Sequence, residues 1–211
     1  MAVASCLAVV AVGLGLLLLG ERRGRSLPVT VGKSLASLAF LALGWSRLRA
    51  GSTADAYLVL GLASCLVGDL LLLGRRRLAV ALIAFLFGHL AYLAAFQALA
   101  PARGWPLALA APLVSASALA AAWLWPHLGR LRPAVLVYVA VITTMVWGAL
   151  ATAAAGVLPV GGAVGAGLFY LSDLAVARQQ FVDRSFPVRA AGLIAYYAGQ
   201  LLLAGAVGVA G

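Results

Sequence analysis

The chain is an almost unbroken series of apolar runs about 20 residues long, which is the length that an α-helix needs to cross a bilayer. Short breaks that carry charges or turn residues separate these runs. Because 65% of the residues are hydrophobic and 9% are charged, a soluble domain of this size would expose too much apolar surface. The sequence therefore predicts an all-α, polytopic membrane helix bundle of about eight transmembrane helices, forming a single integral membrane domain over residues 1–211.

The breaks define the positions of the spans. We place the spans at residues 2–20, 29–47, 54–74, 78–99, 105–125, 133–153, 159–178 and 187–209. Continuous apolar runs are typical of membrane helices, whereas the strands of a membrane barrel alternate apolar and polar residues. Cys6 and Cys65 fall inside spans, and we expect both to be small buried hydrophobic residues rather than a disulfide.

Basic residues are distributed unevenly among the breaks. The breaks after spans 1, 3, 5 and 7 carry Arg22, Arg23, Arg25, Arg75, Arg76, Arg77, Arg130, Arg132, Arg178, Arg184 and Arg189. The breaks on the other side carry Arg47, Arg49 and Arg103. Cytoplasmic loops are enriched in Lys and Arg, so we expect both termini on the non-cytoplasmic side of a bacterial cytoplasmic membrane. Topology and anionic lipid headgroups account for the net charge of +10, and no nucleic acid partner is expected.

Two aspartates occupy equivalent positions in the two halves of the chain. Asp69 and Asp173 lie 104 residues apart, and several identities recur at that offset. The recurring pairs are Gly61 and Gly165, Leu70 and Leu174, Gly88 and Gly192, Ala91 and Ala195, Tyr92 and Tyr196, and Ala94 and Ala198. The halves, about 1–104 and 105–211, would each contain an even number of spans and so share one orientation. We expect two parallel four-helix repeats with one shared site.

Polar side chains inside the spans mark that candidate site. A charged group at membrane depth costs roughly 2.5–3.5 kcal/mol on insertion scales and is by default a functional-site hypothesis. Besides the two aspartates, the candidates are Lys33, His89, Tyr138, Tyr196, Tyr197 and Gln200. The helical rise places both aspartates about 7 Å inside the cytoplasmic ends of their helices, and His89 about 16 Å inside. We expect a pocket that opens towards the cytoplasmic leaflet.

The sequence predicts neither a metal nor a cofactor. A zinc site would need His89 with both aspartates, but the predicted depths place His89 about 8 Å deeper than the carboxylates. A structural alternative stays open, in which the aspartates are interhelical hydrogen-bond partners or pair with Lys33, or Lys33 extends to the headgroups. Asp55 and Asp183 fall at loop edges, where we expect them to be solvated.

Six segments of the chain are similar to a known family. They are VGKSLASLAF (31–40), LASCLVGDLLLL (62–73), FLFGHLAYLAAF (85–96), YVAVITTMVW (138–147), GAGLFYLSDLAVARQQF (165–181) and AYYAGQLLL (195–203). Together they resemble the YhhN-like family, which includes the membrane lysoplasmalogenases. The resemblance implies hydrolysis of the vinyl ether bond of a lysoplasmalogen, with release of a fatty aldehyde and a glycerophospho-headgroup.

The residue pattern suits this implied reaction. A vinyl ether hydrolyses through protonation at carbon, and water then captures the oxocarbenium-like species. One protonated carboxyl can donate the proton while an ionised one activates water, so we expect Asp69 and Asp173 to be the acid/base pair, with the roles unassigned. Lys33 is expected to contact the phosphate of the lysophospholipid, assisted by arginines at the cytoplasmic rim. The other candidates, His89, Tyr138, Tyr196, Tyr197 and Gln200, are expected to line the pocket, which the substrate enters from the membrane lipids.

A proton-coupled small-molecule or lipid transporter is the main alternative function, and a non-catalytic lipid-binding or assembly protein is a second one. Intramembrane acids also serve proton-coupled carriers, but carrier sites usually lie near the bilayer midplane, and both aspartates are predicted near one face. Headgroup preference and oligomeric state stay open at this point.

Overall fold

A computed structural model describes residues 3–74 and 77–210, and this part of the chain is helical with no strand. The long helices are α1 (Val3–Arg23), α2 (Ser26–Ser46), α3 (Thr53–Leu71), α4 (Leu78–Leu99), α5 (Leu107–Leu128), α6 (Arg132–Ala154), α7 (Val160–Phe181) and α8 (Phe186–Ala206). Single 3₁₀ turns at Ala102–Gly104 and Gly129–Leu131 precede α5 and α6. The all-α prediction is confirmed. Arg75 and Arg76, two of the arginines in the predicted orientation signal, lie outside the described residues.

The helices are those of an integral membrane protein. Helices α1, α2, α3, α4 and α7 are each long and apolar enough to cross a membrane, and so is the stretch Leu107–Ala154, which contains α5 and α6. Large apolar side chains such as Leu27, Phe87 and Leu119 are exposed on the outside of the bundle, which is unfavourable in water and favourable in lipid. The predicted membrane helix bundle is confirmed at this level.

Small residues bring neighbouring helices into close contact. Helix α1 packs along α2, α3 along α4, and α7 along α8. A Cβ atom on Gly13 of α1 would lie 2.7 Å from the carbonyl oxygen of Gly32 on α2. Gly165 of α7 and Gly199 of α8 are related in the same way, at 2.8 Å in each direction. Side chains larger than glycine would force these helix pairs apart, as is common at packed membrane helices.

The bundle has one end rich in arginine, which we call the basic end. It contains the last turns of α1, α3, α5 and α7 and the first turns of α2, α4, α6 and α8. An ion pair between Glu21 of α1 and Arg189 of α8 joins two of these turns. The loop between α2 and α3 lies at the opposite end, where the Arg47 Nε donates a hydrogen bond of 3.0 Å to the carbonyl oxygen of Val207.

Asp55 differs from its predicted environment. Its side chain is fully buried, because the chain after α8 folds back over the loop between α2 and α3. The Arg49 Nε lies 2.7 Å from Asp55 Oδ2, and the Gly208 amide donates to Asp55 Oδ1 at 3.1 Å. Hydrogen bonding to Asp55 raises the pKa of the Arg49 guanidinium. The expectation that Asp55 is solvated is therefore wrong, whereas Asp183 is exposed as predicted.

Two helix boundaries shift the positions of the aspartates. Helix α3 ends at Leu71 instead of 74, because its last turn tightens into i to i+3 hydrogen bonds such as Gly74 N to Leu71 O at 3.0 Å. Helix α7 continues to Phe181 instead of ending at 178. Asp69 thus lies about 3 Å and Asp173 about 12 Å from the ends of their helices. The expected equal depth along the helices is wrong.

Candidate functional site

Both aspartates open onto one cavity near the basic end. The cavity has a volume of about 90 Å³ and lies among α2, α3, α4, α7 and α8. Its polar lining consists of Lys33, Asp69, Ser172, Asp173, Gln179, Arg189 and Tyr196. The remaining wall is largely apolar, with side chains such as Leu72, Leu82 and Phe85. Residues half a chain apart in sequence therefore share one apolar-walled site.

Asp69 is held by three donors. Lys33 Nζ lies 2.7 Å from Asp69 Oδ1, Ser37 Oγ donates to Oδ2 at 2.7 Å, and Tyr196 OH donates to Oδ2 at 2.6 Å. Lys33 is 5% exposed and Asp69 is 1% exposed. Since every contact is a donor to the carboxylate and one donor is a cation, the geometry is that of an ionised Asp69.

Lys33 is committed to this carboxylate. Its ammonium is buried against Asp69, and the structural alternative of a Lys33–Asp69 pair is thus the arrangement seen. A buried ion pair is costly to break from one side, by roughly 3–5 kcal/mol, because the remaining charge loses its counterion. The ammonium is therefore poorly placed to leave Asp69 for a substrate phosphate.

Asp173 has a different set of neighbours. Tyr138 OH donates to Asp173 Oδ2 at 3.0 Å, and His89 Nε2 lies 3.2 Å from the same oxygen. The Asp173 side chain is 19% exposed and lines the cavity. The two carboxyl groups of the site thus differ in kind, since one is paired with a buried cation and the other contacts a histidine and a phenol.

His89 is fixed in orientation by its surroundings. Its Nδ1 lies 2.6 Å from the carbonyl oxygen of Phe85, one turn earlier in α4. The ring stacks on Phe169 with centroids 4.3 Å apart and meets Tyr138 edge-on at 5.4 Å. The side chain is fully buried, and its Nε2 has no aligned hydrogen-bond partner among the described residues.

The expectation that His89 lies about 8 Å deeper than the aspartates is wrong for Asp173. His89 is eleven residues from the start of α4, or about 16 Å, and Asp173 is about 12 Å from the end of the extended α7. The two side chains span the remaining difference. Even so, no group of three or more His, Cys, Asp or Glu residues in residues 3–74 and 77–210 is arranged to hold a metal ion.

Tyr197 and Gln200 lie behind the cavity wall rather than on it. Tyr197 OH is 3.3 Å from Ser37 Oγ and so reaches Asp69 only through that hydroxyl. Gln200 accepts a hydrogen bond from Tyr92 OH at 2.6 Å and lies 3.4 Å from the Cys65 sulfur. Tyr92, Gln200 and Cys65 are fully buried. Both Cys6 and Cys65 are buried free thiols, as predicted.

Four polar site residues are absent from the sequence-based candidates, namely Ser37, Ser172, Gln179 and Arg189. Ser37 lies one turn after Lys33 on the same face of α2, and this i to i+4 spacing was the available signal. Gln179 and Arg189 line the cavity from α7 and α8. Arg189 has a side chain that is 43% exposed and pairs with Glu21 of α1. The sequence did not single out Arg189, because the four breaks on the predicted cytoplasmic side all carry arginines.

Residues 28–207 match the YhhN family. The chain belongs to the YhhN family. The match extends from α2 into the segment after α8 and includes each cavity-lining residue named above, so the resemblance inferred from six segments is confirmed. Helix α1, which supplies Glu21, precedes the range matched to the YhhN family. No curated protein and no solved structure matches the chain.

Proposed function

We propose that this YhhN-family protein is a membrane hydrolase that cleaves the vinyl ether bond of a lysoplasmalogen. The observation that carries the proposal is the pair of carboxyl groups on one buried cavity, each in a different electrostatic environment. Asp69 faces a buried cation, and Asp173 faces a histidine and a tyrosine. Environments that separate the protonation states of two carboxyl groups are typical of acid/base catalysis.

The proposed reaction needs one acid and one ionised group. A proton adds to the vinyl carbon farther from the ether oxygen, which leaves an oxocarbenium ion. The oxygen of a water molecule then adds to the carbon bonded to the ether oxygen, and the hemiacetal breaks down to the fatty aldehyde and the glycerophospho-headgroup. One carboxyl supplies the proton, and the other stabilises the positive charge and orients water, as paired carboxyl groups do in glycosidases.

The size of the cavity limits which part of the substrate enters it. A volume of about 90 Å³ is well below the roughly 300–1,000 Å³ of a site that encloses a drug-sized ligand. We therefore place only the vinyl ether and the attacking water inside, and leave the alkenyl chain along the apolar wall and in the surrounding lipid. The headgroup then lies at the basic end, where Arg189 is exposed and its guanidinium suits a phosphate.

The proposal includes a topology. We propose that all eight long helices cross a bacterial cytoplasmic membrane, with the basic end cytoplasmic and both termini on the other side. We also propose that the halves 1–104 and 105–211 are parallel repeats. In support, Asp69 of α3 contacts Tyr196 of α8, while Asp173 of α7 contacts His89 of α4. Each aspartate thus contacts the other half of the chain.

Aldehyde release tests the proposed function. The purified protein in detergent is given a lysoplasmalogen or, as a control substrate, an acyl lysophospholipid of the same chain length and headgroup. We expect fatty aldehyde from the vinyl ether substrate with wild type and with Asp183→Asn, an exposed aspartate beyond α7, and none with Asp69→Asn or Asp173→Asn. Full activity in either cavity variant would remove that carboxyl from the mechanism.

The alternative, a proton-coupled small-molecule or lipid transporter, needs a path between the cavity and the opposite end. Leu62, Phe96 and Leu203 lie on α3, α4 and α8, about two turns beyond the site, and all are fully buried. All three belong to the hydrophobic core of the bundle. Proton-coupled uptake by protein-containing liposomes without aldehyde formation would favour the transporter.

A further inference from the structure

We infer that His89 and Asp173 share a single proton, which makes Asp173 the acid of the reaction while Asp69 stays ionised. The inference rests on the proposed function and assigns the roles of its two carboxyl groups. Asp173 is the catalytic residue in this assignment, and His89 is a positioning residue that acts through it.

His89 Nδ1 lies close to a backbone carbonyl oxygen. The carbonyl oxygen of Phe85, 2.6 Å away, can only accept a hydrogen bond. Nδ1 must therefore carry a proton. A ring flip would replace Nδ1 by a carbon and lose this contact, so the contact also sets the orientation of the ring. Neutral His89 then has a bare lone pair on Nε2.

His89 Nε2 lies 3.2 Å from Asp173 Oδ2, and the His89 side chain is fully buried. If Asp173 were ionised and His89 neutral, an unprotonated nitrogen and a carboxylate oxygen, both electron-rich, would lie 3.2 Å apart with no proton between them. One proton removes this conflict, either on the carboxyl or on the imidazole. The contact is not aligned as a hydrogen bond, which is common for catalytic contacts before the substrate binds.

Of these two residues, Asp173 is the one that a substrate in the cavity can reach. Asp173 lines the cavity and is partly exposed, whereas His89 is fully enclosed behind it. The titratable groups in contact with His89 are Asp173 from α7 and Tyr138 from α6. The shared proton can therefore reach the substrate through the Asp173 carboxyl.

Asp69 is unsuited to the role of the acid. Its oxygens already accept from Lys33, Ser37 and Tyr196. A proton on Asp69 would displace one of these donors and leave the Lys33 ammonium without its counterion in a buried site. The carboxylate instead provides a fixed negative charge beside the oxocarbenium ion.

The proton that Asp173 gives up in the reaction is returned to it by the attacking water. The shared proton moves from Asp173 to the vinyl carbon, and Asp173 becomes a carboxylate next to neutral His89. Water adds to the oxocarbenium carbon and gives one proton to the Asp173 carboxylate, which restores the shared proton. Breakdown of the hemiacetal moves its hydroxyl proton to the departing glycerol oxygen. One water is consumed, and the enzyme regains its starting state.

Two matched variants test this assignment through activity. His89→Gln and Tyr138→Phe each remove one neighbour of Asp173 Oδ2, but only His89→Gln removes a group that can hold a mobile proton. We expect His89→Gln to lower kcat about 100-fold or more near neutral pH and to regain activity as the pH falls. Tyr138→Phe removes a hydrogen-bond donor to the Asp173 carboxylate and so favours the protonated acid. We expect a loss of only a few-fold in kcat and no shift of the pH profile towards lower pH. Equal pH profiles for wild type and His89→Gln, or the same shift in both variants, would overturn the inference.

A second measurement requires no substrate. The chain has two histidines, and His127 is exposed, so His127→Gln leaves His89 as the single ¹⁵N-labelled histidine for NMR. We expect a protonated Nδ1, and an Nε2 signal that changes when Asp173→Ala is added. A bare Nδ1, or an Nε2 signal indifferent to Asp173→Ala, would overturn the shared proton. Wild type that yields no aldehyde would overturn the proposed function and with it the role of Asp173 as the acid, whereas the NMR result decides separately whether His89 and Asp173 share a proton.

Discussion

The Lys33 ammonium lies 2.7 Å from Asp69 Oδ1, and neither side chain exposes more than 6% of its surface. This pair joins α2 to α3 in the lining of the cavity, so its removal affects both folding and the proposed chemistry. The two effects can be separated, because a buried pair responds differently to losing one partner and to losing both.

Lys33→Met should lower the free energy of unfolding by about 3–5 kcal/mol, because Asp69 is left buried without its cation. The double variant Lys33→Met, Asp69→Leu should recover most of that stability and remain inactive. Thermal unfolding in detergent measures the first effect, and aldehyde release measures the second. A double variant as unstable as the single one would contradict the description of the pair.

Two adjacent tyrosines provide a matched comparison. Tyr196 OH donates directly to Asp69 at 2.6 Å, whereas Tyr197 OH reaches Asp69 only through Ser37. Tyr196→Phe should reduce kcat by about 10-fold or more, in line with a lost hydrogen bond to a charged group, worth roughly 1.5–3 kcal/mol. Tyr197→Phe should reduce it by a few-fold at most. Steady-state kinetics that rank the variants in the opposite order would count against the direct contact to Asp69.

Arg189 is predicted to contact the substrate phosphate. Its present partner, Glu21, forms a partly exposed ion pair, and such pairs are weak enough for a phosphate to displace. Arg189→Gln should raise KM for lysoplasmalogen with little change in kcat, and Glu21→Gln should lower KM. A vinyl ether of glycerol without phosphate serves as the control substrate, since its KM should be the same for wild type, Arg189→Gln and Glu21→Gln. Equal effects on the two substrates would show that Arg189 does not contact phosphate.

The opposite end of the bundle should matter for stability alone. Asp55 binds Arg49 and the Gly208 amide, far from the cavity lining. Asp55→Asn keeps the shape of the side chain and removes its charge, so we expect a lower unfolding temperature and an unchanged kcat for the folded protein. Loss of kcat in a folded Asp55→Asn variant would indicate coupling between the two ends.

Much of this fold follows from the sequence, because runs of about 20 apolar residues can satisfy their backbone in lipid only as helices or closed barrels. The grouping of Asp69 with Tyr196, and of Asp173 with Tyr138, also agrees with polar residues gathering inside an apolar bundle. Distances were harder to predict. Counting residues from helix ends misplaced His89 relative to Asp173, since α7 is longer than its apolar run.

Contacts made by the ends of the chain could not be predicted at all. The sequence predicts a solvated Asp55, because nothing in its own segment shows that the chain after α8 returns to cover it. The sequence shows Arg189 as one of many arginines that set the predicted membrane orientation. Its place at the cavity depends on how α8 packs against α7. Asp55 and Gly208 are 153 positions apart in sequence, and Arg189 and its partner Glu21 are 168 positions apart.

The most direct test of the account is to run the hydrolysis in D₂O and to locate the deuterium in the aldehyde, trapped at once by borohydride reduction. Protonation of the vinyl carbon by a carboxyl in exchange with solvent predicts one deuterium on the carbon next to the former carbonyl, from wild type and not from Asp173→Asn. Aldehyde without deuterium at that carbon, or no aldehyde from folded wild type, would contradict carbon protonation as the central step.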